Sequence, residues 1–312
     1  MKILKYILIS MRPRQWFKNL FIFAGLVFSL HLMDLHYLKT TILGFILFSV
    51  LSGCVYIIND LADYKKDKNH DDKKNRPIAS QKLSRINALA AVFILLPVTI
   101  FAGFMINEKF GIIQVVYLLM QLFYSFAGKN IVILDVMLIS FGFVLRAIAG
   151  SFVIEIGISH WLLICTLLLS LFLALCKRRH ELLNPAFIHE NTGLQEINKG
   201  KREHKTRNVL FSYDADFIDQ MISVVTASTL MAYILYTISP DVVLKFRTNN
   251  LLFTVPMVLF GIFRYLYIVY VENKGSSPEK AILSDAHMIV NLILWFAVVV
   301  FVLYFRDGIS FF

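Results

Sequence analysis

Apolar runs alternate with polar connections along the whole chain. Nine runs reach roughly the 20 mostly apolar residues that a helix needs to cross a bilayer, at 19–36, 40–58, 86–106, 111–127, 131–154, 160–176, 218–238, 250–271 and 287–305. None shows the strict two-residue alternation of a strand. Lipid offers no partner to backbone N–H and C=O groups, so each run is predicted to be a helix. The connections are uneven. The long ones, 59–85 and 177–217, follow the second and sixth runs. This pattern predicts an all-α integral membrane protein, a nine-transmembrane-helix bundle, with residues 1–312 forming a single membrane domain.

Charge fixes an orientation for this bundle. With nine spans, the N-terminal side carries 24 Lys and Arg and the other side 5. The excess predicts a cytoplasmic N-terminus and an outer C-terminus in an inner (plasma) membrane of bacterial type. The net charge of +10 is therefore explained by topology, and nucleic acid is not an expected partner. Only 17% of residues are charged and 58% are hydrophobic, which also argues against a soluble domain. The three cysteines, Cys54, Cys165 and Cys176, lie in apolar runs without CxxC spacing, so neither a zinc site nor a disulfide is expected. No small-residue cleavage site follows the short N-terminal apolar stretch, so a signal peptide is not expected.

The sharpest chemical signal follows the second run. Asn59-Asp60-Leu61-Ala62-Asp63-Tyr64-Lys65-Lys66-Asp67 places Asp60, Asp63 and Asp67 at i, i+3 and i+7. If the helix continues past the membrane surface, the three carboxylates share one face. Packed like charges repel unless a cation lies between them, and hard carboxylate oxygens suit Mg²⁺. The plainer reading is a solvated polar cap interleaved with Lys65, Lys66 and Lys68. Asn75-Arg76-Pro77-Ile78-Ala79-Ser80 follows, a basic turn able to meet phosphate oxygens.

This NDxxDxxxD arrangement, with its RPIAS continuation, resembles the first aspartate-rich motif of the UbiA prenyltransferase superfamily. The resemblance implies a UbiA-type bundle with a central cavity opening to the cytoplasmic side, capped by connections 59–85 and 177–217. It also implies that Asp60, Asp63 and Asp67 are catalytic and hold Mg²⁺ against a diphosphate leaving group, with Asn59 beside them. The superfamily's second aspartate-rich motif should follow the sixth run. There the chain reads Lys177-Arg178-Arg179-His180-Glu181-Leu182, and 177–213 contains no Asp. Three adjacent cations suit an oxyanion better than a metal. Asp214, Asp216 and Asp219 come later, as a displaced motif or as N-terminal capping of the next helix; capping is the favoured reading.

Other segments narrow the branch. Tyr124-Ser125-Phe126-Ala127-Gly128-Lys129 leads to Asp135. Arg146 stands deep in an apolar run, where an ionisable residue is a functional candidate; the plainer alternative is a buried pair with an acid. Arg12-Pro13-Arg14-Gln15-Trp16-Phe17-Lys18-Asn19 combines cations with an interfacial Trp, read otherwise as topology determinants and an aromatic belt. Together RPRQWFKN, RPIAS, YSFAGKN, LRAIAG and KRRHEL are similar to the decaprenyl-phosphate phosphoribosyltransferase-like branch, over about residues 11–181. That resemblance implies Mg²⁺-dependent transfer of 5-phosphoribose from phosphoribosyl pyrophosphate to a polyprenyl phosphate, releasing pyrophosphate. Lys18, Asn59, Arg76, Tyr124, Lys129, Asp135, Arg146, Lys177 and Arg178 are the candidate substrate-binding residues. Two alternatives stand beside it, transfer of a prenyl chain from its diphosphate to a small acceptor, and a transporter or lipid-handling protein without chemistry. Homo-oligomerisation is left open.

Overall fold

The computed structural model describes residues 2–68, 73–183, 213–274 and 278–305. Among them every regular element is a helix. The chain divides into two compact units, residues 1–129 with 141–159 and residues 130–140 with 160–312. Eight helices among the described residues are long and apolar enough to span a membrane.

The first unit opens with α1 (Lys2–Ser10), a 3-10 helix (Pro13–Ile22) and α2 (Phe23–Val27). There follow α3 (Leu35–Ala62), the short α4 (Tyr64–Lys68), α5 (Arg85–Ile106), α6 (Glu108–Phe126) and the second half of α7 (Leu134–Val153). Phe48, Leu51, Val55, Phe110, Tyr117 and Val153 are buried together with Ile22 and Leu26. Phe93, Ile94, Phe101 and Leu119 are exposed, as lipid-facing positions are. Lipid is as apolar as these side chains, so the helices hold together by close packing and hydrogen bonds rather than by escape from water. Turn residues set the boundaries. The side chain of Asp34 caps α3, that of Ser84 caps α5 and that of Asn107 caps α6, each accepting a backbone N–H of its own first turn.

The run at 19–36 departs from expectation. Instead of one long helix it forms the end of the 3-10 helix and the five residues of α2, followed by Leu30 in the left-handed region. Asn19 explains the difference. It is 1% exposed, and its Nδ2 donates to the hydroxyls of Ser49 (3.0 Å) and Ser52 (3.2 Å) on α3. A polar side chain buried and satisfied this way ties the segment to its neighbour and competes with a regular span. Gly150 on α7 allows the close approach, because a Cβ there would lie 1.9 Å from the carbonyl oxygen of Ile22.

The second unit contains the start of α7, α8 (His160–Leu182), α9 (Ala215–Ile238), α10 (Pro240–Phe246), α11 (Val255–Tyr270), α12 (Pro278–Ser284) and α13 (Ala286–Tyr304). A 3-10 turn, Asn250–Thr254, leads into α11. Val136, Phe172, Leu175, Ile218, Ile222, Tyr265 and Ile268 form its core. Most of the connection 177–217, with its expected capping role, lies outside the described residues.

Candidate functional site

The aspartates sit where the span ends. α3 stops at Ala62, Asp63 takes the C-cap position, and α4 resumes at Tyr64. Backbone bonds from Asp63 N–H to Asn59 C=O (2.9 Å) and from Asp67 N–H to Asp63 C=O (2.8 Å) keep helical spacing through the break. The expected unbroken helix is therefore interrupted, yet Asp60 and Asp67 still meet. Both accept from one nitrogen, Arg76 Nη1, at 3.0 and 2.6 Å. Asp60 Oδ1 also accepts from Arg12 Nη2. Asp63 turns elsewhere; its Oδ2 lies 3.8 Å from Lys129 Nζ, and its side chain is 36% exposed where that of Asp60 is 2% exposed. Asn59 and Tyr124 are half-buried.

Each motif carboxylate thus faces a cation, where the solvated-cap reading would place it in water. The donor chemistry suits a hard divalent ion, because oxygen-only ligands already hold positive charge between Asp60 and Asp67. Among the described residues, however, no three His, Cys, Asp or Glu side chains converge as metal ligands. Guanidinium groups stand between them instead.

Arg146 lies in the same unit, 5% exposed. Among the described residues no acid pairs with it, contrary to the paired reading. Its Nε donates to Asn19 Oδ1, its Nη1 to the Gly142 carbonyl and its Nη2 to the Tyr117 hydroxyl, each at 2.7 Å. The guanidinium also lies 4.9 Å from the Tyr117 ring centre and 5.3 Å from that of Phe143. Neutral acceptors and ring faces hold this charge between helices. Lys18 is half-buried on the 3-10 helix.

In the second unit each of the three adjacent cations of α8 faces an acid, and two of them share Glu181. Arg178, 1% exposed, donates from Nε to Asp135 Oδ2 (2.6 Å) and from Nη1 to Glu181. Lys177 Nζ lies 3.8 Å from Glu181. Arg179 Nε donates to Asp219 Oδ1 (2.6 Å), which also accepts from the Tyr270 hydroxyl (2.7 Å). Tyr213, which sequence reasoning missed, completes the buried group. Its hydroxyl accepts from Ile133 N–H (2.7 Å) and donates to Asp135 Oδ1 (2.8 Å). Burial first, and the adjacent carboxylate next, push that hydroxyl above the ordinary tyrosine range, so it stays a proton donor. Asp214 stands at the N-cap of α9, but its side chain makes no cap hydrogen bond. Asp219 serves neither capping nor a metal cluster among the described residues.

Arg12 is the other residue missed. Its contact spans 48 residues of sequence, beyond the reach of any local spacing.

The model of the UbiA prenyltransferase family matches residues 19–180. The chain belongs to that family. This UbiA-family chain is 27% identical over 310 residues to the decaprenyl-phosphate phosphoribosyltransferase of Mycolicibacterium smegmatis, covering 95% of this chain and 92% of the relative. It is 29% identical over 296 residues to the enzyme of that name from Mycobacterium tuberculosis, covering 93% and 91%. Among solved structures, a UbiA homolog from Archaeoglobus fulgidus bound to DMAPP and Mg²⁺ superposes with a TM-score of 0.67 at 17% identity, covering 95% of this chain and 98% of that one. The last likeness establishes the UbiA fold.

Proposed function

We propose that this chain transfers 5-phosphoribose from phosphoribosyl pyrophosphate to a polyprenyl phosphate and releases pyrophosphate. Support comes first from full-length similarity to decaprenyl-phosphate phosphoribosyltransferases. The observation that carries the reading is the set of cations on the motif acids, Arg12 and Arg76 on Asp60, Arg76 on Asp67 and Lys129 beside Asp63. A donor with a diphosphate and a 5-phosphate, meeting an acceptor that is itself a phosphate, needs that many positive groups. Prenyl transfer to a neutral acceptor handles one diphosphate and needs fewer. The engagement of Asp219 by Arg179 also speaks against a second acidic motif.

Asp60, Asp63 and Asp67 would hold Mg²⁺, which when bound neutralises diphosphate charge. Arg76 and Lys129 bind donor phosphate oxygens. They orient the ribose so that its anomeric carbon faces the lipid phosphate. An oxygen of the lipid phosphate forms the new bond to that carbon, and pyrophosphate departs with the old bonding pair. The acceptor is already an anion at neutral pH, so no general base is required. Positioning and charge stabilisation supply the catalysis. The motif end of α3 lies on the cytoplasmic side, where the phosphorylated donor is found, with the lipid tail in the bilayer.

The test is direct. Purified protein given Mg²⁺, labelled phosphoribosyl pyrophosphate and polyprenyl phosphate should yield a labelled lipid, and Asp63→Ala should abolish it while leaving membrane insertion intact. Consumption of an isoprenyl diphosphate with a small aromatic acceptor, and no labelled lipid, would assign prenyl transfer instead.

A further inference from the structure

We propose that Arg12 is a ligand of the donor diphosphate that the free protein holds on Asp60, so that divalent cation and diphosphate bind together and each binds weakly alone. The proposal rests on the phosphoribosyl-transfer reading and adds a residue and a binding order to it.

Three features single out Arg12. Asp60 Oδ1 takes two guanidiniums, from Arg12 and from Arg76, and Arg76 also reaches Asp67. Asp60 therefore keeps a partner if Arg12 leaves, whereas loss of Arg76 would take the arginine from Asp67. The Arg12 side chain is 30% exposed over a carboxylate that is 2% exposed, and its guanidinium lies 4.8 Å from the Tyr56 ring centre, so of the ion pair the arginine is the partner that a phosphate arriving from solvent can reach. Finally, its backbone is clamped. Arg12 lies in the left-handed region at φ 53°, a strained conformation for a non-glycine residue. Its N–H donates to Ile9 C=O (3.1 Å) and its C=O accepts from Gln15 N–H (2.8 Å). On one side Met11 is buried against Gly53, where a Cβ would lie 2.8 Å from the Met11 Cβ. Trp16 Nε1 donates to the Met11 carbonyl at 3.2 Å. A strained backbone held from both sides aims the guanidinium at the cluster.

Charge supplies the coupling. Asp60, Asp63 and Asp67 face Arg12, Arg76 and Lys129, three negative groups against three positive. A divalent cation arriving alone meets the cations, and a diphosphate arriving alone meets the carboxylates. Arriving together they exchange partners, the cation taking the carboxylates and the diphosphate taking the guanidinium, so each raises the affinity for the other.

The experiment measures Mn²⁺ binding to purified full-length protein by the electron paramagnetic resonance of free Mn²⁺, with and without inorganic pyrophosphate, each against a protein-free sample that subtracts the Mn²⁺ held by pyrophosphate in solution. In the wild type, pyrophosphate should tighten Mn²⁺ binding about tenfold or more. Arg12→Gln should bind Mn²⁺ alone about tenfold more tightly and lose most of the pyrophosphate effect. Arg12→Lys, which keeps the charge, should behave like the wild type and controls for misfolding. An Arg12→Gln protein with unchanged Mn²⁺ affinity and an intact pyrophosphate effect overturns the proposal while leaving phosphoribosyl transfer standing. Failure of the wild type to bind Mn²⁺ under either condition overturns both.

Discussion

Arg146 Nε donates to Asn19 Oδ1 at 2.7 Å, joining residues 127 positions apart inside one unit. The bond gives a buried guanidinium between apolar helices a neutral acceptor, and it pins the 3-10 helix that the first apolar run was expected to continue past. Asn19→Ala leaves a charged donor without its acceptor in a buried place. It should destabilise the protein by about 1–3 kcal/mol, read as a lower melting midpoint in detergent. An unchanged midpoint would mean that Arg146 is held by Tyr117 and Gly142 alone.

Asp135 and Arg178 are both almost fully buried and bonded at 2.6 Å. Removing Asp135 takes the acceptor from Arg178 Nε and leaves that buried guanidinium its bond to Glu181. Asp135→Ala should cost about 3 kcal/mol or more, while the paired replacement Asp135→Leu with Arg178→Met should recover much of that loss. Tyr213→Phe removes one hydrogen bond to the same carboxylate and should cost about 1 kcal/mol. Thermal unfolding of the four proteins gives the order. A double variant no more stable than Asp135→Ala would contradict it.

Lys129 and Asp63 form a half-exposed pair at 3.8 Å, which contributes little to stability. Lys129→Ala should therefore fold normally. Losing a charged phosphate ligand should nonetheless raise KM for phosphoribosyl pyrophosphate about tenfold or more. Steady-state kinetics check this, and an unaltered KM would remove Lys129 from donor binding.

Asp285 caps α13 and accepts from Arg264 Nη2 at 2.6 Å. The hydrogen bond from Arg264 holds its carboxyl below the ordinary aspartate range. The folded protein binds this proton less readily than the unfolded chain, so the pair stabilises at pH values above about 4 and is lost as pH falls through the folded value. Asp285→Asn should flatten the acid limb of a plot of melting midpoint against pH. An identical limb in the variant would show that other groups govern it.

The readable parts of the chain were those with a local signature. Long apolar runs marked α3, α5 to α9, α11 and α13 because a bilayer demands length and apolarity within one segment. Asp60, Asp63 and Asp67 were found by helical spacing, and Arg146 by its isolation among apolar neighbours. The pairings escaped because they are non-local. Nothing in the spacing of Arg12 points to Asp60, and nothing in Arg178 points to Asp135, 43 residues earlier. Likewise Asn19 reads as an ordinary polar residue at a span's edge until Ser49, Ser52 and Arg146 surround it.

The central claim is that the three motif carboxylates grip the donor through a divalent cation. Calorimetric titration of phosphoribosyl pyrophosphate into purified protein tests it most directly. Binding should occur with Mg²⁺ present, and should vanish both in chelator and in the Asp63→Ala protein. Equal affinity under all three conditions would contradict the claim.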